Sequence, residues 1–348
     1  MPVLKRAADA FRLLLDMVTR DPAFVRGGRL EPDDIPVFTF HSLEPRSFER
    51  KMRYLLDAGF QAITMPMYLN ALTGRRPAPA KSVLITIDDG RATTWTVGYP
   101  ILKRLGMRAT AFLVTSAVSD TTEVSKTIGD VPESEWTPLV ARDDSEDRPF
   151  VTWTEVRAMR EVIDIESHTH FHARVPVTPE ASGVMTEAMQ SGYGAFDCPF
   201  VWRAGRQVRG RDVPVGTPLP ISAPRLSGRP AYRSADERFE TEEETREAIR
   251  FDLAEARRCI RDKAEVEATA LCYPWHVSSD KAGQIAAEVG YIAGFAGKAS
   301  TGLAISRPGS DLFAIARVGE DYVERLPGPG RRSLLSVLEE KVRRQPPA

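Results

Sequence analysis

The sequence predicts an α/β fold, a single domain built as a (β/α) barrel. Short apolar runs with strand character alternate with segments of helical periodicity along most of the 348 residues, and this alternation favours parallel strands joined by right-handed helical connections. About seven or eight such units suit a closed barrel better than an open sheet. The chemically reactive motifs also lie directly after predicted strands, which is where (β/α) barrels carry their active sites.

The predicted strands are short apolar, β-branched or aromatic runs bounded by turn-forming or charged residues. In chain order these strands cover residues 36–41, 61–64, 82–87, 109–114, 162–166, 268–273, 291–296 and 313–318. The predicted helices have apolar residues three and four positions apart. They cover residues 47–58, 67–72, 97–105, 153–160, 281–289 and 334–342. Gly59 and Gly290 follow two of these helices and are typical of helix ends.

The expected domain organisation places the barrel at residues 36–325. An N-terminal helix and its connection precede it at residues 1–35, and a C-terminal helix and tail follow at residues 326–348. Two insertions, at about 119–150 and 176–240, lack the periodic apolar pattern of the rest. Connections of this length in a compact domain are usually functional or disordered. We expect the second insertion to cap the site and restrict its substrates.

A basic run lies within the second insertion, at residues 203–211. Its simplest interpretation is a solvated loop. The alternative is contact with a phosphate or nucleotide on the substrate, because the arginine fork binds phosphate oxygens well.

Composition and charge argue against several classes of protein. The chain carries 47 basic and 48 acidic residues, for a net charge of −1, so no strong field would attract nucleic acid or anionic lipid. Its 3 widely spaced cysteines do not suggest a disulfide framework. Charges interrupt the apolar N-terminal segment, so we predict no export signal, and we predict no membrane insertion because no apolar run is long enough. We therefore expect a cytoplasmic protein.

The chain has few histidines, and they are unevenly distributed. The full set is His41, His168, His170, His172 and His276. All of them follow predicted strands, so a barrel would bring them to one end. An Asp-Asp-Gly sequence is by itself typical of a turn. Asp88 and Asp89, however, also end a predicted strand and add two carboxylates to the same end of the barrel.

Imidazole and carboxylate ligands together suit a divalent cation such as zinc. Catalytic zinc usually has three protein ligands and one open position. His168 and His172 are four positions apart and would face one way on a helical turn, and one aspartate of the pair would complete the set. The other aspartate would then lie close enough to act as a general base. We expect one divalent metal ion, with zinc favoured, and expect His170 to support the site or to lie in solvent.

Two motifs resemble those of a known family. SVLITIDDG (82–90) resembles the TFDDG motif of the polysaccharide deacetylases, the NodB-homology or carbohydrate esterase family 4 enzymes, with Ile87 where phenylalanine is usual. The segment from His168 to His172 matches their H-[ST]-x-x-H pattern. PVFTFHSLEPRSFERKMRYLLDAGFQAITM and CYPWH are similar to segments of the branch that de-N-acetylates poly-N-acetylglucosamine. The resemblance covers roughly residues 36–118, 150–175 and 245–320 and leaves the two insertions uncovered.

The resemblance implies a deformed (β/α) barrel of about seven strands and a role for each motif residue. Asp88 would be the general base, and Asp89, His168 and His172 would be the metal ligands. His41, at the end of the first predicted strand, would be the general acid, with a core histidine as the alternative. A backbone N–H near Trp275 would help to stabilise the oxyanion.

The sequence departs from the family pattern at Cys272, which stands where an arginine usually orients the base. We predict that Arg317, on the last strand, takes this role. Tyr273 and Trp275 are interpreted either as core aromatics or as a stacking floor for a sugar ring. His276 is expected to line the pocket. The candidate substrate-binding residues are therefore Tyr273, Trp275, His276 and Arg317.

The resulting hypothesis is an enzyme that hydrolyses the N-acetyl group of an amino sugar and releases acetate. Because no export signal is predicted, the expected substrate is small, nucleotide-linked or lipid-linked, or an oligosaccharide. One alternative keeps the site but changes the substrate, as in a deformylase or another hydrolase of non-peptide amides. A second alternative is a non-catalytic carbohydrate-binding protein.

Overall fold

The computed structural model describes residues 22–145, 148–190, 192–203, 206–234, 236–297 and 305–344. The predicted N-terminal helix lies in the first 21 residues, outside the described part of the chain, and remains a prediction.

The strands form two groups, one in the barrel and one in the second insertion. Before the insertion come β1 (Val37–Phe40), β2 (Gln61–Ala62), β3 (Ser82–Ile87), β4 (Ala109–Leu113) and β5 (Ile163–Ser167). The second insertion contributes β6 (Arg174–Val184), β7 (Val201–Arg203), β8 (Arg206–Val208), β9 (Pro218–Pro224), β10 (Tyr232–Arg233) and β11 (Arg238–Phe239). The barrel is completed by β12 (Ala270–Cys272), β13 (Ala293–Gly297) and β14 (Ile315–Gly319).

Seven parallel strands close the barrel in the order β1-β14-β13-β12-β5-β4-β3. The ring closes where β3 pairs with β1, from Val37 opposite Leu84 to Phe40 opposite Ile87. β2 pairs with β3 beside the ring. The predicted seven-stranded (β/α) barrel is therefore confirmed.

The barrel is deformed between β5 and β12, which share a single residue pairing, Ser167 with Leu271. A side chain replaces the missing backbone pairing. The Glu166 carboxylate accepts the N–H groups of Thr269 and Ala270, each at 2.7 Å. The two strands therefore diverge while their buried amides stay satisfied.

The helices surround the barrel. They are α1 (Pro45–Asp57), α2 (Met65–Leu72), α3 (Tyr99–Leu105, after a π-helical turn at Thr94–Gly98), α4 (Trp136–Val140), α5 (Trp153–Met159), α6 (Gly192–Asp197), α7 (Glu242–Ala264), α8 (Asp280–Val289) and α9 (Leu334–Arg344). No helix in the described ranges combines the length and the apolar content that crossing a bilayer requires.

One end of the barrel interior is filled by apolar side chains. Residues from alternate positions of the strands, such as Leu84, Phe112 and Phe295, pack with α2, where Tyr68 lies 5.8 Å from the ring of Phe295. The backbone of Met65, at the start of α2, donates to Asp164 near the start of β5. The opposite end, where the strands terminate, is left for polar residues.

The second insertion is folded rather than an open loop. β6 and β9 form an antiparallel ribbon, and a small apolar cluster that includes Met185, Cys198 and Leu219 packs beneath it. These strands were not predicted from the sequence because they contain proline and glycine, and both residues normally weaken a strand. α6 belongs to this insertion and lies near the carboxyl ends of the barrel strands.

Candidate active site

The carboxyl ends of the barrel strands gather nearly all of the residues that the sequence singled out. Asp88 and Asp89 follow β3, His41 follows β1, and His168 follows β5. Arg317 lies within β14. Trp275 and His276 lie in a 3₁₀ turn (Pro274–His276) directly after β12.

Asp88 forms a buried ion pair with Arg317. Nη1 of Arg317 lies 2.7 Å from Oδ1 of Asp88, and each side chain is 1% exposed. Oδ2 of Asp88 accepts from the Thr39 hydroxyl at 3.3 Å and lies 3.5 Å from Sγ of Cys272. Burial disfavours the charged carboxylate, but Arg317, His168 and His41 together outweigh it, and the pKa of Asp88 lies below its usual range. Asp88 is therefore an ionised, fixed proton acceptor at neutral pH.

Asp89, His168 and His172 form a separate cluster. Oδ1 of Asp89 lies 3.4 Å from Nε2 of His168 and 3.8 Å from Nε2 of His172. Ligand atoms bound at about 2.0–2.2 Å around a tetrahedral zinc ion lie about 3.4 Å from one another. These three buried donors therefore fit one divalent cation in both chemistry and spacing.

The backbone of this cluster departs from the predicted helical turn. His168 and His172 lie on a loop after β5, and φ is +69° at Thr169 and +49° at His172. Asp89 also has a positive φ, of +71°. The left-handed region is unfavourable for residues with a β-carbon. In this conformation the backbone changes direction, so adjacent side chains point to groups that they could not both contact from a regular strand or helix. Adjacent Asp88 and Asp89 consequently serve different groups.

The two candidate histidine ligands present Nε2 to Asp89. Nδ1 of His168 donates to the carbonyl oxygen of Cys272 at 2.9 Å, so Nε2 is the ring nitrogen that faces Asp89. Nδ1 of His172 faces Oδ1 of Asp197, at 3.8 Å. Burial lowers the pKa of His172 to about 3, so its imidazole is neutral, the form that binds a metal.

His170 points away from this cluster. Its Nδ1 lies 2.8 Å from the Thr115 hydroxyl. The backbone N–H groups of His170 and Phe171 both donate to Oδ1 of the buried Asp252 on α7, at 2.8 and 2.9 Å. Asp252 thus fixes the histidine loop, and burial raises its pKa to about 6. The sequence analysis missed Asp252 because it did not predict α7.

His41 and His276 flank Asp88 on the side open to solvent. Nε2 of His41 lies 3.8 Å from Oδ2 of Asp88, and its side chain is 44% exposed. Nδ1 of His276 lies 3.0 Å from Nη2 of Arg317. The two imidazole rings are nearly perpendicular, with centroids 6.4 Å apart. The His41 ring is therefore in contact with solvent on one side and with Asp88 on the other.

The two strand-end aromatics differ. The Trp275 ring lies 4.1 Å from that of His172 and is partly exposed, so it borders the site. Tyr273 is fully buried and belongs to the core around the barrel. Side chains alternate along a strand, so Cys272 faces Asp88 and Tyr273 faces away. The prediction that Tyr273 binds substrate is therefore corrected: it is a core residue.

α6 covers one side of the metal cluster. Nε of Arg91 lies 3.3 Å from Oδ2 of Asp89, and the Tyr193 ring packs on the Arg91 guanidinium at 3.6 Å. Phe196 lies 5.5 Å from the ring of His172. Sequence reasoning overlooked these contacts, although Arg91 directly follows the Asp-Asp-Gly turn.

Within the basic run, Arg209 differs from the predicted solvated loop. Its Nη1 donates to the carbonyl oxygens of Phe171 and Phe196, at 2.8 and 2.9 Å. Its guanidinium lies between the rings of Phe196 and Phe200. Arg209 thus ties α6 to the histidine loop, and its hydrogen bonds are used within the protein.

Residues 75–197, which include the Asp88-Asp89 pair and the histidine loop, match the family model for polysaccharide deacetylase. This part of the chain is therefore similar to a polysaccharide deacetylase domain. Enzymes of this family depend on a metal in general, and the Asp89 cluster offers a suitable ligand group. The predicted resemblance to this family is confirmed by that match.

Three proteins named as deacetylases resemble this chain in sequence or in fold. The chain is 32% identical over 96 residues to the putative polysaccharide deacetylase YxkH of Bacillus subtilis, covering 25% of this chain. It is 25% identical over 254 residues to the poly-beta-1,6-N-acetyl-D-glucosamine N-deacetylase of Escherichia coli, covering 72% of this chain. The matches span 34% and 30% of the length of those two proteins. The solved BpsB deacetylase domain of Bordetella bronchiseptica shares the fold, with a TM-score of 0.57 at 22% identity over 83% of this chain and 98% of that one.

Proposed function

We propose that this protein hydrolyses the N-acetyl group of an amino sugar and releases acetate, with zinc as its divalent cation. One observation carries the proposal. Two adjacent buried carboxylates have separate partners, since Asp88 pairs with Arg317 while Asp89 faces His168 and His172. This arrangement separates a proton acceptor from a cation site a few ångströms away, as hydrolysis of an unreactive amide requires.

Asp89, His168 and His172 would hold the cation. When bound there, a divalent cation supplies Lewis acidity, which polarises the acetyl carbonyl and makes a nearby water easier to deprotonate. Arg91, 3.3 Å from Oδ2 of Asp89, occupies that second carboxylate oxygen and directs Oδ1 towards the two histidines.

Asp88 is the proposed base. Its ion pair with Arg317 fixes the orientation of the carboxylate, and its low pKa keeps it ionised, the form that can accept a proton from the attacking water. The charge that develops on the carbonyl oxygen needs a hydrogen-bond donor. The N–H of His276 is already bonded to the carbonyl of Tyr273, at 3.1 Å. We assign the oxyanion contact to the backbone N–H of Trp275.

His41 is the proposed acid. An amine leaves a tetrahedral adduct poorly unless it is protonated. His41 lies at the solvent edge, 3.8 Å from Oδ2 of Asp88, so it can deliver a proton to the departing nitrogen and regain one from water. The neighbouring His276 has a pKa of about 3, lowered by burial and by Arg317, and is neutral at physiological pH. It is therefore the weaker candidate for the acid.

The proposed substrate is a small amino sugar, free, nucleotide-linked or lipid-linked, or a short oligosaccharide. The packing of α6 supports this restriction, because Tyr193 and Phe196 cover one side of the cluster. The matching Escherichia coli protein is named for a polymer of N-acetylglucosamine, so longer chains are the alternative. The proposed location remains the cytoplasm, and the buried free thiols of Cys198, Cys259 and Cys272 suit a reducing compartment.

Acetate release from a panel of N-acetylated sugars tests the proposal. The panel contains free, nucleotide-linked and oligomeric sugars together with their N-formyl analogues, and zinc content is measured for every preparation. We expect wild-type release to fall by about 10²–10⁴-fold in Asp88→Asn at full zinc occupancy. Asp212→Asn, at an exposed position of the second insertion, is the matched control and should behave as wild type. A zinc-loaded wild type that released nothing from any sugar would overturn the assignment, and release of formate alone would favour a deformylase.

A further inference from the structure

His172 and Asp197 face each other through two buried atoms that are otherwise unsatisfied. Nδ1 of His172 and Oδ1 of Asp197 are both fully covered, and neither has a hydrogen-bond partner among the described residues. They lie 3.8 Å apart. This separation is about 0.9 Å longer than an ordinary hydrogen bond.

The pairing of His172 with Asp197 is explained if His172 binds a metal. A neutral imidazole carries one proton, so a histidine that offers Nε2 to a cation keeps its proton on Nδ1. A buried Nδ1–H then needs an acceptor. His168 meets this need with the backbone carbonyl of Cys272 in the barrel. The carboxylate of Asp197 is the acceptor placed to do the same for His172.

Asp197 is held in place by contacts of the insertion. It is the last residue of α6, and the carbonyl of the preceding Phe196 accepts from Arg209. The following residue, Cys198, accepts through its sulfur from the N–H of Gly210 at 3.0 Å. Hydrogen bonds of the preceding and the following residue thus hold the segment that contains Asp197. Asp197 lies beyond the imidazole ring from Asp89, so it acts through His172 and not on the substrate.

We propose that Asp197 is a positioning residue that fixes His172 as its Nδ1–H tautomer, and that the second insertion is thereby a structural part of the metal centre. The inference rests on the cation site of the proposed function. Each of the two histidine ligands is oriented from a different part of the molecule, His168 from the barrel and His172 from the insertion.

Zinc affinity, measured by competition with a chromophoric chelator, tests this inference independently of catalysis. We expect Asp197→Ala to weaken zinc binding by about 10–100-fold, and Asp197→Asn to weaken it less, because the amide oxygen still accepts a hydrogen bond. Asp212→Asn should bind zinc like wild type, and Asp89→Asn should lose it. If Asp197→Ala binds zinc as tightly as wild type while Asp89→Asn does not, the inference is overturned.

A second measurement covers the case in which Asp197→Ala fails to fold. Long-range ¹⁵N–¹H spectra of the zinc-loaded wild type should show His172 protonated at Nδ1, and Asp197→Asn should speed exchange of that proton. An unprotonated Nδ1 in the wild type contradicts the inference. A wild type that binds zinc but releases no acetate would remove the proposed function and leave this conclusion intact.

Discussion

Arg317 on the last strand of the barrel donates to Asp88 at the end of the third, with 2.7 Å between Nη1 and Oδ1 and with both side chains buried. The resemblance expects an arginine at position 272, where this chain has a cysteine that lies 3.5 Å from the same carboxylate. The guanidinium reaches the proposed base from another strand. An arginine at either of two positions, 272 or 317, could therefore form the ion pair with the proposed base.

Arg317→Ala should lower both activity and stability. It leaves Asp88 buried without a cation, and removal of one partner from a buried pair typically costs about 3–5 kcal/mol. Urea denaturation measures this loss, and acetate release at full zinc occupancy measures the catalytic defect. Adding Cys272→Arg to Arg317→Ala should recover part of both losses, since it returns a guanidinium to the carboxylate. No recovery would show that position 272 cannot substitute for position 317.

His276→Asn should make the protein less sensitive to acid. The pKa of His276 is lowered to about 3 in the folded state, against an ordinary value of 6.5. Between these values the unfolded chain binds a proton that the folded chain does not, so stability falls as the pH drops from 6.5 towards 3, by at most about 1.4 kcal/mol per pH unit. Asparagine retains an acceptor for Arg317 but does not titrate. Urea melts of both proteins across this range should diverge as the pH falls, and parallel curves would contradict the assignment.

His41→Gln should impair amide hydrolysis far more than ester hydrolysis. An activated aryl acetate has a leaving group that departs without a proton, whereas an amine requires one. We expect deacetylation of N-acetyl sugars to fall by about 10²–10⁴-fold and aryl acetate hydrolysis to change little. Zinc content should remain that of the wild type, because His41 lies beside Asp88 and outside the ligand cluster. Equal losses on both substrates would assign another role to His41.

Zinc should bind in one equivalent per chain and stabilise the fold. A ligand at about 100 times its Kd adds about 2.7 kcal/mol to the free energy of unfolding. We expect His172→Gln to lose most of this stabilisation. His170→Gln should retain it, because His170 bonds to Thr115 and faces away from Asp89. Thermal melts with and without zinc, together with metal analysis, distinguish the two variants, and loss of zinc in His170→Gln would contradict the ligand assignment.

Local sequence predicted the barrel and its reactive edge because both depend on short-range pattern. Each predicted barrel strand is present within a few residues, Asp88 and His41 lie where parallel strands end, and Arg317 lies within the last strand. The sequence did not show which way the side chain of Tyr273 points. The structure does, because Cys272 faces Asp88 and the next side chain along the strand faces the opposite way.

The sequence analysis missed α7 because its buried stripe, which includes Ile249, Leu253 and Ile260, is narrow and diluted by charged residues. A sequence signal was present, since Thr241 and Glu244 form a capping box at its start. Asp197 had no such signal. Its contact with His172 depends on how an insertion packs against the barrel, and local periodicity carries no information about that packing.

The ring of strands closes around β1, which pairs with β3 on one side and with β14 on the other. Asp88 and Arg317 lie 229 positions apart in the chain. The proposed base is therefore synthesised long before Arg317, and a partial chain that ends before the last strand lacks the guanidinium that pairs with Asp88. The ion pair forms only when the last strand joins the first, so the proposed activity, followed during synthesis, would report the moment at which the barrel closes.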